Sequence, residues 1–275
     1  MTLPYAEVIG DPIAQSKSPI IHKHWLSALG LQGDYRHAHV TAQALPAYIA
    51  ARRQDENWRG CNVTMPHKQT VMPLLDALDP LAEQVGAVNT VVRGKDGRLT
   101  GYNTDARGSF EPLLPYLVDL PRRIVLLGNG GAARAILAAL TGAGQSVTLA
   151  ARNTEKARAL ADELAPDAAV TDLARFAQPG VGDVDLLINA SPLGMVGNPP
   201  LAFDLTHLSE QAVVFDIVTA PLETRLLQAA CAAGLVTIDG LAMLIEQAVM
   251  AFALFFGELP PRDDGDAALR ALLTA

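Results

Sequence analysis

The sequence predicts an α/β protein built as two domains, and three observations predict it. Short apolar runs rich in β-branched residues alternate with segments carrying helix start and stop signals along most of the chain. In mid-chain a wholly apolar run, Ile124-Val125-Leu126-Leu127, leads directly into a glycine-rich turn and then an alanine-rich helix. Two further helical segments follow Gly240, where a single βαβ series would already be complete. At 275 residues the chain is longer than one compact core commonly holds. Half of the residues are hydrophobic and 18% are charged, which supplies apolar surface for burial and excludes a disordered chain.

Each element has a local reason. Residues 5–9 read as a strand closed by Gly10-Asp11-Pro12. A helix is expected from Ser18 as N-cap, with Pro19 at its first position and Gly30 as its stop. A strand over 35–40, a helix over 45–53 and a strand over 60–64 follow, and Pro66 is expected to start a helix running through Leu74 and Leu75. After the buried strand at 123–127 come a helix over 132–140, a strand over 146–150 and a helix after Thr154. Two more buried strands are expected at 184–189 and 213–217. An apolar helix over 241–256 and a short C-terminal helix are expected to fold back onto the first domain. The expected boundaries are 1–104 with 240–275 for one domain and 105–239 for the other.

Charge and cysteine content narrow the partners. The net charge is −8 and no basic run exceeds Arg52-Arg53 or Arg122-Arg123, which argues against nucleic acid. Cys61 and Cys231 are far apart, with no CxxC and no Cys/His cluster, so no metal site is expected and a reducing cytoplasm is. The opening MTLPYAEVIGDP lacks the features of a signal peptide, and the most apolar stretch, 248–256, is half the length of a membrane span. The expected partner is a small-molecule substrate, not a membrane. The chain is expected to act as a monomer or homodimer, since no interface stripe is distinguishable from core.

Gly128-Asn129-Gly130-Gly131-Ala132-Ala133 fits GxGxxG/A between a buried strand and a helix. There Gly128 permits the tight turn, Gly130 lets backbone approach a pyrophosphate, and small Ala133 lets helix and strand pack closely. The helix N-terminus offers free amides and a positive dipole end to the phosphates. The domain therefore reads as a Rossmann nucleotide-binding unit. The next strand ends in Ala151-Arg152-Asn153-Thr154-Glu155-Lys156, without the acid that an NAD enzyme places there for the ribose 2′-hydroxyl. Arg152 and Lys156 suit a 2′-phosphate, and cations at a helix start otherwise oppose the dipole, so NADP is the expected cofactor. The competing reading is a solvated helix start.

Hydride transfer to a ketone needs a group that protonates the oxygen as it becomes an alkoxide. Lys68 is a candidate, at the strand-to-helix junction Asn62-Val63-Thr64-Met65-Pro66-His67-Lys68. Two more polar runs, Gly86-Ala87-Val88-Asn89-Thr90 and Gly101-Tyr102-Asn103-Thr104-Asp105, precede the nucleotide strand. By spacing alone, Lys68 reads equally as a surface lysine and Asp105 as a helix N-cap.

Read together with Gly10 to Pro19, with Asn189-Ala190-Ser191-Pro192-Leu193-Gly194-Met195 and with Gly240 to Ala248, these runs resemble the shikimate dehydrogenase family over nearly the whole chain. The resemblance implies NADPH-dependent reduction of 3-dehydroshikimate in aromatic amino-acid biosynthesis. It places Ser16 and Ser18 on the substrate carboxylate, and Asn62, Thr64, Asn89 and Gln247 on the ring hydroxyls. It makes Lys68 and Asp105 the catalytic pair and puts Gly240 beside the cofactor. One departure stands out: the family usually has tyrosine, reaching towards substrate and nicotinamide, where this chain has Thr219. Asn153 replaces a common threonine beside the phosphate-binding arginine. A quinate or other analogue dehydrogenase of the same family, and a non-catalytic NADP-binding regulator, are the alternatives. An intact Lys68 and Asp105 argue against the regulator.

Overall fold

The computed structural model describes residues 3–117, 123–176, 184–201, 205–262 and 266–275. The chain divides into two compact units, Met1–Thr104 with Gln247–Ala275, and Asp105–Glu246. It leaves the first unit inside helix α4 (Thr104–Phe110) and returns inside helix α10 (Gly240–Phe256).

In the first unit, β1 (Tyr5–Gly10) is buried along its whole length and pairs in parallel with β2 (Asp34–His39) and β3 (Trp58–Val63). β5 (Thr90–Arg93) is antiparallel to β3 and to β6 (Leu99–Tyr102), and the two-residue β4 (Ala77–Leu78) closes the edge. The mixed sheet runs β2-β1-β3-β5-β6-β4. Side chains of β1 alternate between two cores, as a strand covered on both faces requires. Tyr5 and Ile9 join Leu45 and Ile49 of α2 (Leu45–Arg53), whereas Ala6 and Val8 pack with Ala251 and Phe255 of α10. The returning helix therefore supplies one face of the first sheet. The C-terminal α11 (Ala267–Thr274) buries Leu269 and Leu273.

Two local expectations are corrected. Ser18 is not the N-cap of α1 (Ser18–Ala28) but its first residue; Lys17 takes the cap position, with no side-chain cap bond. Pro66 starts no α-helix. Residues 66–75 run as turns with a single 3₁₀ segment at Met72–Leu74, because Pro73 would lack an amide and clash with the carbonyl four residues earlier. The regular helix comes later, as α3 (Pro80–Val85), with Asp79 accepting from the Leu81 amide as N-cap.

The second unit holds β7 (Ile124–Leu127), β8 (Val147–Ala151), β9 (Ala169–Asp172), β10 (Val184–Asn189), β11 (Leu208–Asp216) and β12 (Val236–Ile238). They are parallel throughout, in the order β12-β11-β10-β7-β8-β9. After the short α5 (Leu114–Leu117), the covering helices are α6 (Gly131–Gly142), α7 (Thr154–Leu164), α8 (Leu173–Phe176) and α9 (Arg225–Ala232). Ile124 and Leu126 face α6 and α7, while Val125 and Leu127 face α8 and α9. This sheet is a doubly wound Rossmann fold. Among the described residues no helix is long and apolar enough to cross a membrane.

Candidate active site

In the second unit the strand order reverses between β7 and β10, and ligands of such sheets bind at that switch point, beyond the carboxyl ends of the strands. Gly128 follows β7 directly, with φ +110, and a Cβ there would lie 2.9 Å from the carbonyl of Ala190, which follows β10. The two loops thus touch at the switch point, and only glycine fits the contact. Gly130 is different: among the described residues a Cβ there would meet nothing within 4 Å. That empty volume lies at the start of α6, whose first amides have no side-chain cap. Open space beside free helix N-terminal amides is what an anionic group such as a pyrophosphate requires. Ala133 is fully buried against the sheet, as close helix–strand packing requires.

Arg152 and Asn153 follow β8, and Lys156 lies in the first turn of α7; all three are exposed. Asn153 caps α7, its Oδ1 accepting from the Lys156 amide at 2.8 Å, and its carbonyl accepts from Asn129 Nδ2 at 3.0 Å. The cap occupies only the acceptor oxygen of Asn153, so its Nδ2 and the side chains of Arg152 and Lys156 are the donors placed to meet an anion. The loop after β11 carries half-buried Thr219. Gly240 packs under that loop: a Cβ on it would lie 2.4 Å from the Val218 carbonyl.

In the first unit the candidate amides meet because of sheet register. Asn62 on β3 stands opposite Thr90 on β5, and Asn89 is the preceding residue. Asn62 Nδ2 donates to Thr90 Oγ1 at 2.9 Å. Asn89 Oδ1 accepts from the Thr104 amide at 2.7 Å, and Asn89 Nδ2 donates to Thr104 Oγ1 at 2.9 Å. All four residues are buried. Tyr35, which the sequence reading missed, donates its hydroxyl to Asn62 Oδ1 at 2.5 Å. A tyrosine in a strand reads as an ordinary β-former, so no local signal marked it. Complete burial holds its phenol well above the usual range and therefore protonated.

Ser16 and Ser18 face one another, Oγ to Oγ at 3.2 Å, and the Ser16 carbonyl is held by His37 Nε2 at 2.8 Å. The Thr64 amide donates to the Ile9 carbonyl at 3.0 Å, which sets its loop beside the end of β1. Lys68 is half-buried, and its carbonyl accepts from the Val88 amide at 2.8 Å, tying its turn to the segment bearing Asn89. Asp105 is buried in the first turn of α4 rather than at its cap, and Gln247 is buried on α10.

Comparison with known proteins agrees with this layout. Residues 8–91 match the shikimate dehydrogenase substrate binding domain, and residues 240–270 match the shikimate 5′-dehydrogenase C-terminal domain. Residues 123–218 match a model described as NADP oxidoreductase, coenzyme F420-dependent. The shikimate dehydrogenase (NADP(+)) of Sphingopyxis alaskensis is 54% identical over 99% of this chain and 97% of the relative. The shikimate 5-dehydrogenase of Thermus thermophilus, solved with NADP(H) and shikimate, is 36% identical with a TM-score of 0.85, covering 98% of this chain and 100% of that one. The quinate dehydrogenase of Corynebacterium glutamicum, solved with NAD, is 35% identical with a TM-score of 0.87, covering 98% of each. With a relative of that identity aligned from end to end, and both sheets wound as described, this chain belongs to the shikimate dehydrogenase family.

Proposed function

We propose that this chain catalyses the reversible NADP-dependent reduction of 3-dehydroshikimate to shikimate, a step of aromatic amino-acid biosynthesis. The observation that carries the reading is the buried series of amides and hydroxyls at Asn62, Thr90, Asn89 and Thr104, next to the substrate-binding match. A polyhydroxylated ring needs fixed donors and acceptors, and such a site strongly rejects analogues that leave them unpaired. In this reading Asn62, Thr64, Asn89 and Gln247 hold the ring hydroxyls. Ser16 and Ser18 donate to the carboxylate, and Thr219 bounds the substrate.

NADPH, when bound, supplies the hydride. The amides at Gly128, Asn129, Gly130, Gly131, Ala132 and Ala133 hold its pyrophosphate with the positive end of the α6 dipole. Arg152 and Lys156, beside the Asn153 cap, hold the 2′-phosphate, and Gly240 keeps the loop after β11 in place. Lys68 gives a proton to the substrate oxygen as it gains charge in reduction, and takes it back in oxidation; Asp105 orients and supports that ammonium. The unpaired Cys61 and Cys231 fit a cytoplasmic enzyme, acting as a monomer or homodimer.

Thr219 favours a second reading, a quinate dehydrogenase with the same catalytic residues. Steady-state assays that cross NADP and NAD with shikimate and quinate test both. The expected result is the highest kcat/KM with shikimate and NADP, and a kcat lowered ~10²–10⁴-fold by Lys68→Ala. A preference for quinate would establish the second reading, and near-normal turnover of Lys68→Ala would remove Lys68 from proton transfer.

A further inference from the structure

Asn189 and Asp216 end adjacent parallel strands, β10 and β11, directly opposite one another, and neither is exposed at all. Asn189 Nδ2 donates to Asp216 Oδ1 at 2.8 Å and to the Leu193 carbonyl at 3.1 Å. Asn189 Oδ1 accepts from the Ser191 hydroxyl at 2.7 Å and the Ser191 amide at 3.1 Å. On the other side, Asp216 accepts from the Val218 amide at 3.1 Å and from Thr224 Oγ1 at 2.7 Å. Thr224, also fully buried, caps α9 with the same oxygen, accepting from the Leu227 amide. The loop tips are joined as well, Val196 amide to Ala220 carbonyl at 2.8 Å.

One amide and one carboxyl therefore bind both loops, 190–199 and 217–224, into a single body. A buried carboxyl is costly, and burial raises the pKa of Asp216 although its hydrogen bonds pull the other way. Neither residue is needed to fill a core, and an apolar pair would not carry the desolvation cost. What the pair fixes is the backbone at the carboxyl ends of β10 and β11. A doubly wound sheet of this order binds one mononucleotide on each half. Arg152 sits at the end of β8, on the half that takes the adenosine, which leaves the β10–β11–β12 half for the nicotinamide.

We propose that Asn189 and Asp216 form a latch and that Asp216 is a positioning residue for the nicotinamide half of NADP, acting through the loops at 190–199 and 217–224 without touching the cofactor. This rests on the nucleotide site proposed above. The test compares NADP with adenosine 2′,5′-bisphosphate, which carries the 2′-phosphate and adenosine but no nicotinamide. Asp216→Asn replaces an acceptor oxygen by a donor nitrogen facing either Asn189 or Thr224. It should raise the KM for NADP about tenfold and leave the inhibition constant of the bisphosphate within about twofold. Thr224→Val, a milder change, should move the NADP constant in the same direction, and Thr224→Ser, which keeps the hydroxyl, should restore it. An unchanged NADP KM in Asp216→Asn or Thr224→Val overturns the latch, as does parallel weakening of both ligands. If the bisphosphate fails to compete with NADP in the unmodified enzyme, the nucleotide-site reading itself falls and the latch with it.

Discussion

The hydroxyl of Tyr35 and the carboxamide of Asn62, 2.5 Å apart, begin a run of hydrogen bonds with fixed directions. Tyr35 has a single hydrogen, which goes to Asn62 Oδ1, so Asn62 Nδ2 must face Thr90 Oγ1. The Thr90 hydroxyl donates to Asn89 Oδ1 at 3.1 Å, and the Thr104 amide, donating to the same oxygen, leaves Asn89 Nδ2 to donate to Thr104 Oγ1. Two amides proposed to read ring hydroxyls are thereby held in one orientation each before any substrate arrives. A site prepared in this way avoids reorganisation on binding.

Tyr35→Phe tests that preparation. The ring stays stacked on His22, centroids 4.0 Å apart, so packing is kept while the hydroxyl's bonds to Asn62 and Ser18 are lost. Leaving the buried Asn62 oxygen without its donor costs about 1–3 kcal/mol, a fall in Tm of several degrees. The KM for shikimate should rise severalfold while the KM for NADP holds. A lower Tm with both KM values unchanged would mean that Tyr35 supports the fold alone.

The two outer glycines of the turn after β7 should separate stability from binding. Gly128→Ala places a Cβ 2.9 Å from the Ala190 carbonyl at φ +110, a backbone conformation that costs an L-residue ~1–3 kcal/mol. Its Tm should fall. Gly130→Ala meets no atom of the described residues within 4 Å, so its Tm should hold while its KM for NADP rises, because the added methyl occupies the volume proposed for the pyrophosphate. Equal NADP binding by Gly130→Ala and the unmodified enzyme would move the pyrophosphate elsewhere.

How much of this was legible in the sequence follows the range of the signals. The α2 helix is found at its observed bounds, and the glycine turn sits between strand and helix as expected, because short-range residue patterns, Pro46 in the first turn of α2 and the glycines after β7, mark both. The hairpin of β5 and β6 escaped notice although Asp96-Gly97 lies between its strands, Gly97 having φ +80; four-residue strands give too few alternations to register. Ser18 looked like a cap by residue type, yet its position beside Ser16 is set by the loop that His37 holds. Tyr35 and the Asn189–Asp216 pair were invisible for one shared reason. Their partners lie 27 residues away in sequence, and only strand pairing brings them together.

Arg152→Ala should change cofactor preference more than activity. The side chain is exposed at the end of β8, and a charge-assisted bond to a phosphate contributes ~1.5–3 kcal/mol, or about ten- to a hundredfold in affinity. The KM for NADP should rise by that order and the KM for NAD should stay level. Parallel rises for both cofactors would assign Arg152 to the turn's structure instead of the 2′-phosphate.

His22 should make the first unit sensitive to acid. Its ring is fully buried among Tyr35, Trp25, Phe252 and Phe255, neither nitrogen has a hydrogen-bond partner among the described residues, and burial pulls its pKa from 6.5 down to about 3. The folded state therefore keeps the ring neutral at pH values where the unfolded chain protonates it. The stability associated with the neutral ring is fully present above pH 6.5 and is lost progressively as pH falls towards 3. At pH 5 the loss from this residue is ~2 kcal/mol. His22→Phe keeps a flat ring against Tyr35, removes two unsatisfied nitrogens and abolishes the titration. The variant should melt above the unmodified protein at pH 8, and the gap in Tm should widen at pH 5. A gap that stays constant between the two pH values would show that the folded protein protonates His22 as readily as the unfolded chain does.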